Sequence, residues 1–342
     1  MDVIAIMNTV RANSSATYQQ RIPELNRTNL EQLRFAMVDD DNVQVANEFI
    51  GNLLNKVFRT DIHAKMFNNP LKALKRGKKY TGDTVEEIYV NFAKGQKYNG
   101  DSGADLMKRT LPDIKTVYHR MNHQMTYPVT IGQQQLSKAF SSFEALESFM
   151  SNIINSLYNG AELDEFMNMK QLIASALDKN AMKVVEVADP LTSEANAKAF
   201  IKSVKTVSGL MAFPNSDWNA YTDAQDTDPN PIVTLSRKNE QVLILDTATD
   251  TGVSVDVLAA TFNMSVADFN DTRKIVIDCF PDASIRAALV DESFFQVWDD
   301  AFVFKKFENG MSLYDNYYLH VWQTQAFSIL CNAVCFKVAA AG

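Results

Sequence analysis

Residues 141–178, SSFEALESFMSNIINSLYNGAELDEFMNMKQLIASALD, carry the strongest structural signal in the chain. Phe143, Leu146, Phe149, Met150, Ile153, Ile154, Leu157, Tyr158, Ala161 and Leu172 recur at steps of three and four, which lays one apolar stripe along a helix. Ser141 and Glu144 form a capping box at its start. At about 1.5 Å per residue the helix is roughly 50 Å long, more than the width of a compact domain of this size, so it reads as a spine. Gly160 interrupts the pattern without a proline, which costs about 1 kcal/mol and predicts a bend or a close contact rather than a break. The charges on the helix are mainly acidic: Glu144, Glu147, Glu162, Asp164, Glu165 and Asp178 face only Lys170 and Lys179.

The segment upstream has the opposite sign. Residues Lys65 to Arg120 hold twelve Lys and Arg against six Asp and Glu, in a chain whose formal net charge is -8. Thr84 to Phe92 alternates Ile88, Val90 and Phe92 with Glu87, Tyr89 and Asn91, as a strand does. The return strand alternates Val117, His119, Met121, His123, Met125, Tyr127, Val129 and Ile131 with Tyr118, Arg120, Asn122, Gln124 and Thr126. Lys94 to Gly103, with three Gly, is the tip. Such a polar hairpin is expected not to bury itself in its own subunit and to need a neighbour. Lys75, Arg76 and Lys79 at its base are the expected inter-subunit contacts, with Glu144 and Glu147 on the spine as their acidic counterparts.

The first forty residues are polar and read as an arm, with a capping box at Thr28 and Glu31. Val45, Ala46, Phe49, Ile50, Leu53, Leu54 and Val57 then predict a helix. Beyond the spine come a strand from Met182 to Val187, a helix opened by Pro190 and Ser193, and a Pro/Asp loop from Asp223 to Pro231. A strand Gln241 to Asp246, short helices capped at Ser254 and Ser265, and strands Lys274 to Cys279 and Ala287 to Val290 follow. Asn316 to Val338 is nearly continuous apolar sequence and reads as buried strands. This alternation is an α/β or α+β domain.

Composition narrows the function classes. With 46% hydrophobic residues, 342 residues build one large or two ordinary cores. No window reaches the roughly 18 uncharged apolar residues of a membrane span. Asp2 and the short run Val3 to Met7 do not fit an export signal. Cys279, Cys331 and Cys335 are odd in number and form no CxxC pair, so buried reduced thiols are expected. The acidic total argues against tight nucleic-acid binding, and Lys72, Lys75, Lys78 and Lys79 lack interleaved aromatics. His119 and His123 share a face but have neither an HExxH glutamate nor a third ligand. The cluster Asp223, Asp226 and Asp228 lacks the Gly and bidentate Glu of a calcium loop. No phosphate loop and no nucleophile with a base is present, so no catalytic residue, cofactor or metal is expected.

Several strings resemble the major capsid proteins of phi-29-like short-tailed bacteriophages. They are Asn69-Pro70-Leu71-Lys72, Gly82-x-Thr84-Val85-Glu86-Glu87-Ile88-Tyr89, Leu146-Glu147-Ser148-Phe149, Ala161-Glu162-Leu163-Asp164-Glu165, Asp217-Trp218-Asn219, Val255-Asp256-Val257-Leu258 and Tyr318-x-His320-Val321-Trp322-Gln323-Thr324. They are colinear over roughly Asn68 to Val338. The resemblance implies the Hong Kong-97 (HK97-like) shell fold: an N-terminal arm and helix (1–73), an extended hairpin called the E-loop (74–118), a peripheral domain (119–190 plus 301–342) with the spine helix at 142–178, and an axial domain (191–300). The C-terminal strands are then expected to return to the long peripheral sheet. Some relatives carry an added immunoglobulin-like domain after these strands; no such domain, and no decoration role, is expected here.

The implied function is a non-enzymatic shell subunit. Copies of it form hexamers and pentamers of an icosahedral bacteriophage head, with a scaffolding protein, a portal or connector and loosely packaged double-stranded DNA as partners and no membrane. Its place is the virion, after assembly in the cytoplasm of the bacterial host. The alternatives are an encapsulin-type shell around protein cargo and, more remotely, a metal-dependent enzyme using His119 and His123.

Overall fold

The structure is a computed structural model that describes residues 3–26, 67–79, 82, 84–95, 97, 109–132, 143–222, 232–253, 273–309, 311 and 314–339. The expected helix at Val45 to Val57, the capping boxes at Thr28 and Ser141, the Asp223 to Pro231 loop and the helices at Ser254 and Ser265 lie outside these residues. So does most of the hairpin tip.

In chain order the helices are Val3–Ala12 (α1), Ala16–Arg21 (α2), Phe143–Asp178 (α3), Glu194–Met211 (α4) and Thr247–Val253 (α5). The strands are Gly77–Lys78 (β1), Thr84–Val90 (β2), Ile114–Arg120 (β3), His123–Gly132 (β4), Lys183–Val187 (β5), Gln241–Asp246 (β6), Arg273–Ile277 (β7), Ile285–Asp291 (β8), Phe295–Asn309 (β9), Tyr314–Phe327 (β10) and Ala333–Val338 (β11). They form a four-stranded sheet in the order β1-β9-β10-β4, a five-stranded sheet β5-β11-β8-β6-β7 and the two-stranded ribbon β2-β3. The spine is one continuous helix of 36 residues, as its apolar spacing predicts.

The chain divides into two compact units, one of Met1–Asn69, Gln124–Glu165 and Asp300–Trp322, the other of Pro70–His123, Phe166–Asp299 and Gln323–Gly342. These bounds differ from the expected arm, hairpin, peripheral and axial segments, because α3, β9 and β10 each give residues to both units.

In the first unit the expected arm is folded where it is described. Met7, Val10, Tyr18, Ile22 and Leu25 are buried, and the Arg11 Nε donates to the Ile22 carbonyl at 2.6 Å. The Ser15 side chain caps α2 by accepting from the Tyr18 N–H. A Cβ on Gly160 of α3 would sit 3.6 Å from the Tyr127 ring, an ordinary contact that does not itself require glycine.

In the second unit the five-stranded sheet buries both faces. Val242, Ile244, Ile275, Ile277, Ala288, Val290 and Cys335 lie on one, with Phe166, Met169 and Ile173 of α3. Leu243, Leu245, Ala287, Leu289, Val334 and Phe336 lie on the other, with Phe200, Ile201, Val204 and Val207 of α4. A strand whose neighbours alternate into two separate cores must be apolar throughout, which is why β6 reads as an unbroken run. Ser193 caps α4 by accepting from the Asn196 N–H. β11 does not return to the long sheet; it pairs parallel with β5 and antiparallel with β8. Cys335 and Phe336 then point into opposite cores, a placement that only a central strand offers.

Candidate assembly interface

The ribbon β2-β3 is antiparallel and runs from the pair Thr84–Arg120 to the pair Val90–Ile114. Period-two alternation gives it two faces of different chemistry. Val85, Glu87 and Tyr89 on β2, with Lys115, Val117 and His119 on β3, are half-buried or buried. Glu87 Oε2 is 2.9 Å from His119 Nε2, and Glu87 Oε1 accepts from the Ser328 hydroxyl at 2.6 Å. The Tyr89 hydroxyl donates to the Val233 carbonyl at 2.5 Å, and the Val233 N–H donates to Asn91 Oδ1 at 3.1 Å. Burial pushes the Tyr89 pKa up. The ribbon therefore lies against its own subunit along one face, held there by hydrogen bonds between polar groups, while no residue of β2 and only His119 of β3 is buried.

The base of the ribbon is fixed in the same way. Pro70–Leu74 forms a short 3-10 turn that buries Leu71 and Leu74. The Arg76 N–H then donates to the Val297 carbonyl at 2.9 Å, and β1 pairs parallel with Trp298 and Asp299 of β9. Gly77 has φ +111, which a residue with a Cβ adopts only under strain. Lys75 Nζ lies 2.8 Å from Asp299 Oδ1, with the lysine side chain 11% exposed. Asp299 Oδ1 also accepts from Gln323 Nε2 at 2.8 Å, and Lys79 Nζ donates to Thr324 Oγ1 at 3.4 Å. The predicted contacts Lys75, Arg76 and Lys79 thus share one segment, with Lys75 and Lys79 bonded inside the subunit and Arg76 exposed. Glu144 and Glu147 fall in the first turns of α3.

The expected return strand is two strands, β3 and β4, divided at Met121 and Asn122. His119 and His123 stand on either side of that break. His119 is engaged by Glu87, and His123 Nε2 is 3.5 Å from Asn168 Nδ2. Among the described residues no three His, Cys, Asp or Glu side chains are grouped to hold a metal ion. Beside the ribbon, a cleft of about 620 Å³ is lined by Arg76, Glu87, Tyr89, Asp291, Trp298 and Cys331. Burial pushes the Cys331 thiol up, away from the thiolate a nucleophile needs. Burial likewise pushes Cys335 up to about 12. Cys279 departs from the expectation of three buried thiols, since it is exposed.

Residues that hold the ribbon and were not singled out from sequence are Asp299, Gln323, Gln325 and Ser328. Gln323, Thr324, Gln325, Ser328 and Asn332 are polar and buried inside the apolar run 316–338. Polar side chains in an otherwise apolar strand are the signal that would have found them, because each needs a partner.

The chain has counterparts among known proteins. The family described as Phi29-like phage major capsid protein matches residues 7–337. The major capsid protein of Bacillus phage PZA is 33% identical over 334 residues, covering 97% of this chain and 72% of that protein. That of Bacillus phage GA-1 is 32% identical over 335 residues, covering 97% and 68%. Among solved structures, the capsid of Staphylococcus phage Andhra superposes with a TM-score of 0.63 over 82% of this chain and 88% of that one, at 12% identity. The capsid of cyanophage P-SCSP1u superposes with a TM-score of 0.56 over 82% and 91%, at 7% identity. These last two likenesses concern the fold alone. With sequence identity sustained along almost the whole chain and the HK97-like fold beneath it, the chain belongs to the Phi29-like phage major capsid protein family.

Proposed function

We propose that this head-shell subunit closes its shell by laying the β2-β3 hairpin of one copy over a neighbouring copy, on a scaffolding protein and around a portal ring, to enclose double-stranded DNA. Assembly takes place in the host cytoplasm and the product is the virion. The match of residues 7–337 to a family of phage shell proteins carries this reading. A shell multiplies one contact many times, so each docking event needs only modest strength. The acidic net charge of -8 disfavours tight adhesion of the shell to packaged DNA.

In this reading the base residues Lys75, Arg76 and Lys79 of one copy meet Glu144 and Glu147 of the next. Lys75 already neutralises Asp299, so the exposed Arg76 and Lys78 supply the outward charge. The chain acts by geometry, with no catalytic step.

The test is cryo-electron microscopy of the purified chain, alone and with its scaffolding partner. Closed shells of hexamers and pentamers are the expected result. Monomers or dimers under both conditions would sink the proposal. Nucleic acid inside the particles separates a phage head from a shell around protein cargo.

A further inference from the structure

The cleft beside β2 contains a buried carboxylate with one oxygen left over. Asp291 closes β8 and is 8% exposed. Its Oδ1 accepts from the Ser293 N–H at 2.9 Å and from the Ser293 hydroxyl at 2.6 Å. Its backbone is pinned as well: the Asp291 N–H donates to the Asn332 carbonyl, and the Asp291 carbonyl accepts from the Phe294 N–H, both at 2.9 Å. Asp291 lines the cleft, and its Oδ2 receives no hydrogen bond from any described residue. A carboxylate taken out of water is costly unless a donor or a cation meets it. The rest of the lining sharpens the imbalance, because Glu86, Glu87 and Glu240 stand there against Arg76. Glu87 is engaged by His119 and Ser328, Glu86 accepts from the Tyr118 hydroxyl, and Arg237 Nη1 is 3.9 Å from Glu240 Oε1. Among the described residues no Lys or Arg forms an ion pair with Glu86, Glu87 or Asp291. An excess of one charge in a cleft with protein walls focuses its potential into the space between them.

We infer that this cleft binds a linear aliphatic oligoamine, with one ammonium group donating to Asp291 Oδ2 and the methylene stem packed on Trp298 and Leu330. The inference goes beyond the shell reading and does not depend on it, since every residue of the lining belongs to the second compact unit of a single chain. A metal ion does not suit the site, because among the described residues no three His, Cys, Asp or Glu side chains are grouped to hold one. The volume of about 620 Å³ is that of a small-molecule site, which typically spans roughly 300–1,000 Å³. The carboxylates come from separate places, Glu86 and Glu87 from β2, Glu240 from the turn before β6 and Asp291 from the end of β8. A single ammonium on a lysine side chain cannot meet carboxylates set that far apart in the fold, whereas a chain with ammonium groups at intervals reaches more than one. Between those groups its methylenes gain from contact with Trp298 and Leu330, and the indole face attracts the cation itself.

The experiment is isothermal titration calorimetry of the full-length, unassembled subunit with spermidine, and with magnesium chloride and a short oligolysine peptide as comparison cations at matched ionic strength. The wild type is expected to bind spermidine at a single site, with a shift in tryptophan emission that a Trp298→Phe variant lacks. Asp291→Asn keeps the acceptor for Ser293 and removes the charge, so it is expected to keep the wild-type circular dichroism and to bind about tenfold or more weakly. Asp217→Asn makes the same change of charge at an exposed position outside the cleft and is expected to bind as the wild type does. Arg76→Ala removes the like charge from the lining and is expected to bind more tightly. Absence of spermidine binding overturns the inference. So does equal affinity in the wild type and Asp291→Asn, which would mean diffuse attraction to an acidic chain. Magnesium or oligolysine that binds more tightly than spermidine, with the same dependence on Asp291, overturns the oligoamine in favour of a metal ion or a partner's lysine. If Asp291→Asn does not fold, the emission shift decides: a shift that persists in Trp298→Phe places the ligand elsewhere. Shell formation enters none of these readouts, so failure of this inference and failure of the shell reading are told apart.

Discussion

Asn122 and Gln325 hold each other twice: the Asn122 Nδ2 donates to the Gln325 carbonyl at 2.8 Å, and the Gln325 N–H donates to Asn122 Oδ1 at 2.8 Å. One side chain thereby imitates the backbone of a paired strand at the point where β3 and β4 separate. Gln325 extends the connection, donating from Nε2 to Gln323 Oε1 at 2.8 Å, and Gln323 reaches Asp299 and through it Lys75. Both ends of the hairpin are thus tied into one polar network. Fully satisfied networks of this kind rigidify a site beyond the sum of their bonds.

Removing that pair tests the network. Asn122→Ala leaves the amide and carbonyl of the largely buried Gln325 without their partners and is expected to cost about 1–3 kcal/mol. A urea titration of the unassembled subunit measures this, and limited proteolysis is expected to cut the hairpin faster. Unchanged stability together with unchanged proteolysis would show that the hairpin is held without this pair.

The spine helix, the polarity of the hairpin and strand β6 were legible because each repeats one spacing over many residues. Strand β9 was not. Its Asp299-Asp300 and Lys305-Lys306 doublets break the period of two and imitate a turn, while Asp299 is in fact held by Lys75 and Gln323. The environment of the candidate contact residues was less legible still. Lys75 and Lys79 looked like outward charges, and only the parallel pairing of β1 with β9 turns them back onto their own subunit. Which face of β2 points inward could not be read from alternation, since Val85 lies with Glu87 and Tyr89 on the inner face while Ile88 and Val90 lie with Glu86 on the outer one.

Thiol chemistry gives a second test of the core. Cys331 and Cys335 are buried with raised pKa values, and Cys279 is exposed. Reactivity follows access and thiolate content. The native unassembled subunit is therefore expected to react with one equivalent of a thiol reagent, and the denatured chain with all three of its cysteines. Rapid labelling of Cys335, identified by mass spectrometry, would mean that the central position of β11 is wrong.

Acid sensitivity follows from Asp282. Its carboxylate accepts from the Ser284 hydroxyl and N–H, then from Lys337, and these interactions lower its pKa from 3.8 to about 2. A carboxylate with a lowered folded-state pKa adds stability that is fully present above the unfolded value and is lost as pH falls through the folded one. The contribution is therefore present at neutral pH and disappears between about pH 4 and 2. Asp282→Asn keeps an acceptor for Ser284 and removes the charge facing Lys337. Its melting temperature is expected to lie below that of the wild type at pH 7, with the gap closing as the pH falls towards 2. The side chain is 40% exposed, so the gap is expected to be small and to shrink in high salt. A gap that widens on acidification would contradict this assignment.

Gly160 offers the opposite sign of change. It lies inside α3, where glycine is worse than alanine by about 1 kcal/mol through backbone entropy. An added Cβ would lie 3.6 Å from Tyr127 Cδ1, which is ordinary contact and not a clash. Gly160→Ala is therefore expected to raise stability by about 0.5–1 kcal/mol. A larger side chain has no such room. Gly160→Leu would displace the Tyr127 ring, whose hydroxyl donates to Asp164 Oδ2 at 2.9 Å, and it is expected to lower stability. Thermal melts of the two variants against the wild type measure both signs. If alanine also destabilises, the position needs glycine, either for a bend or for the approach of the Tyr127 ring.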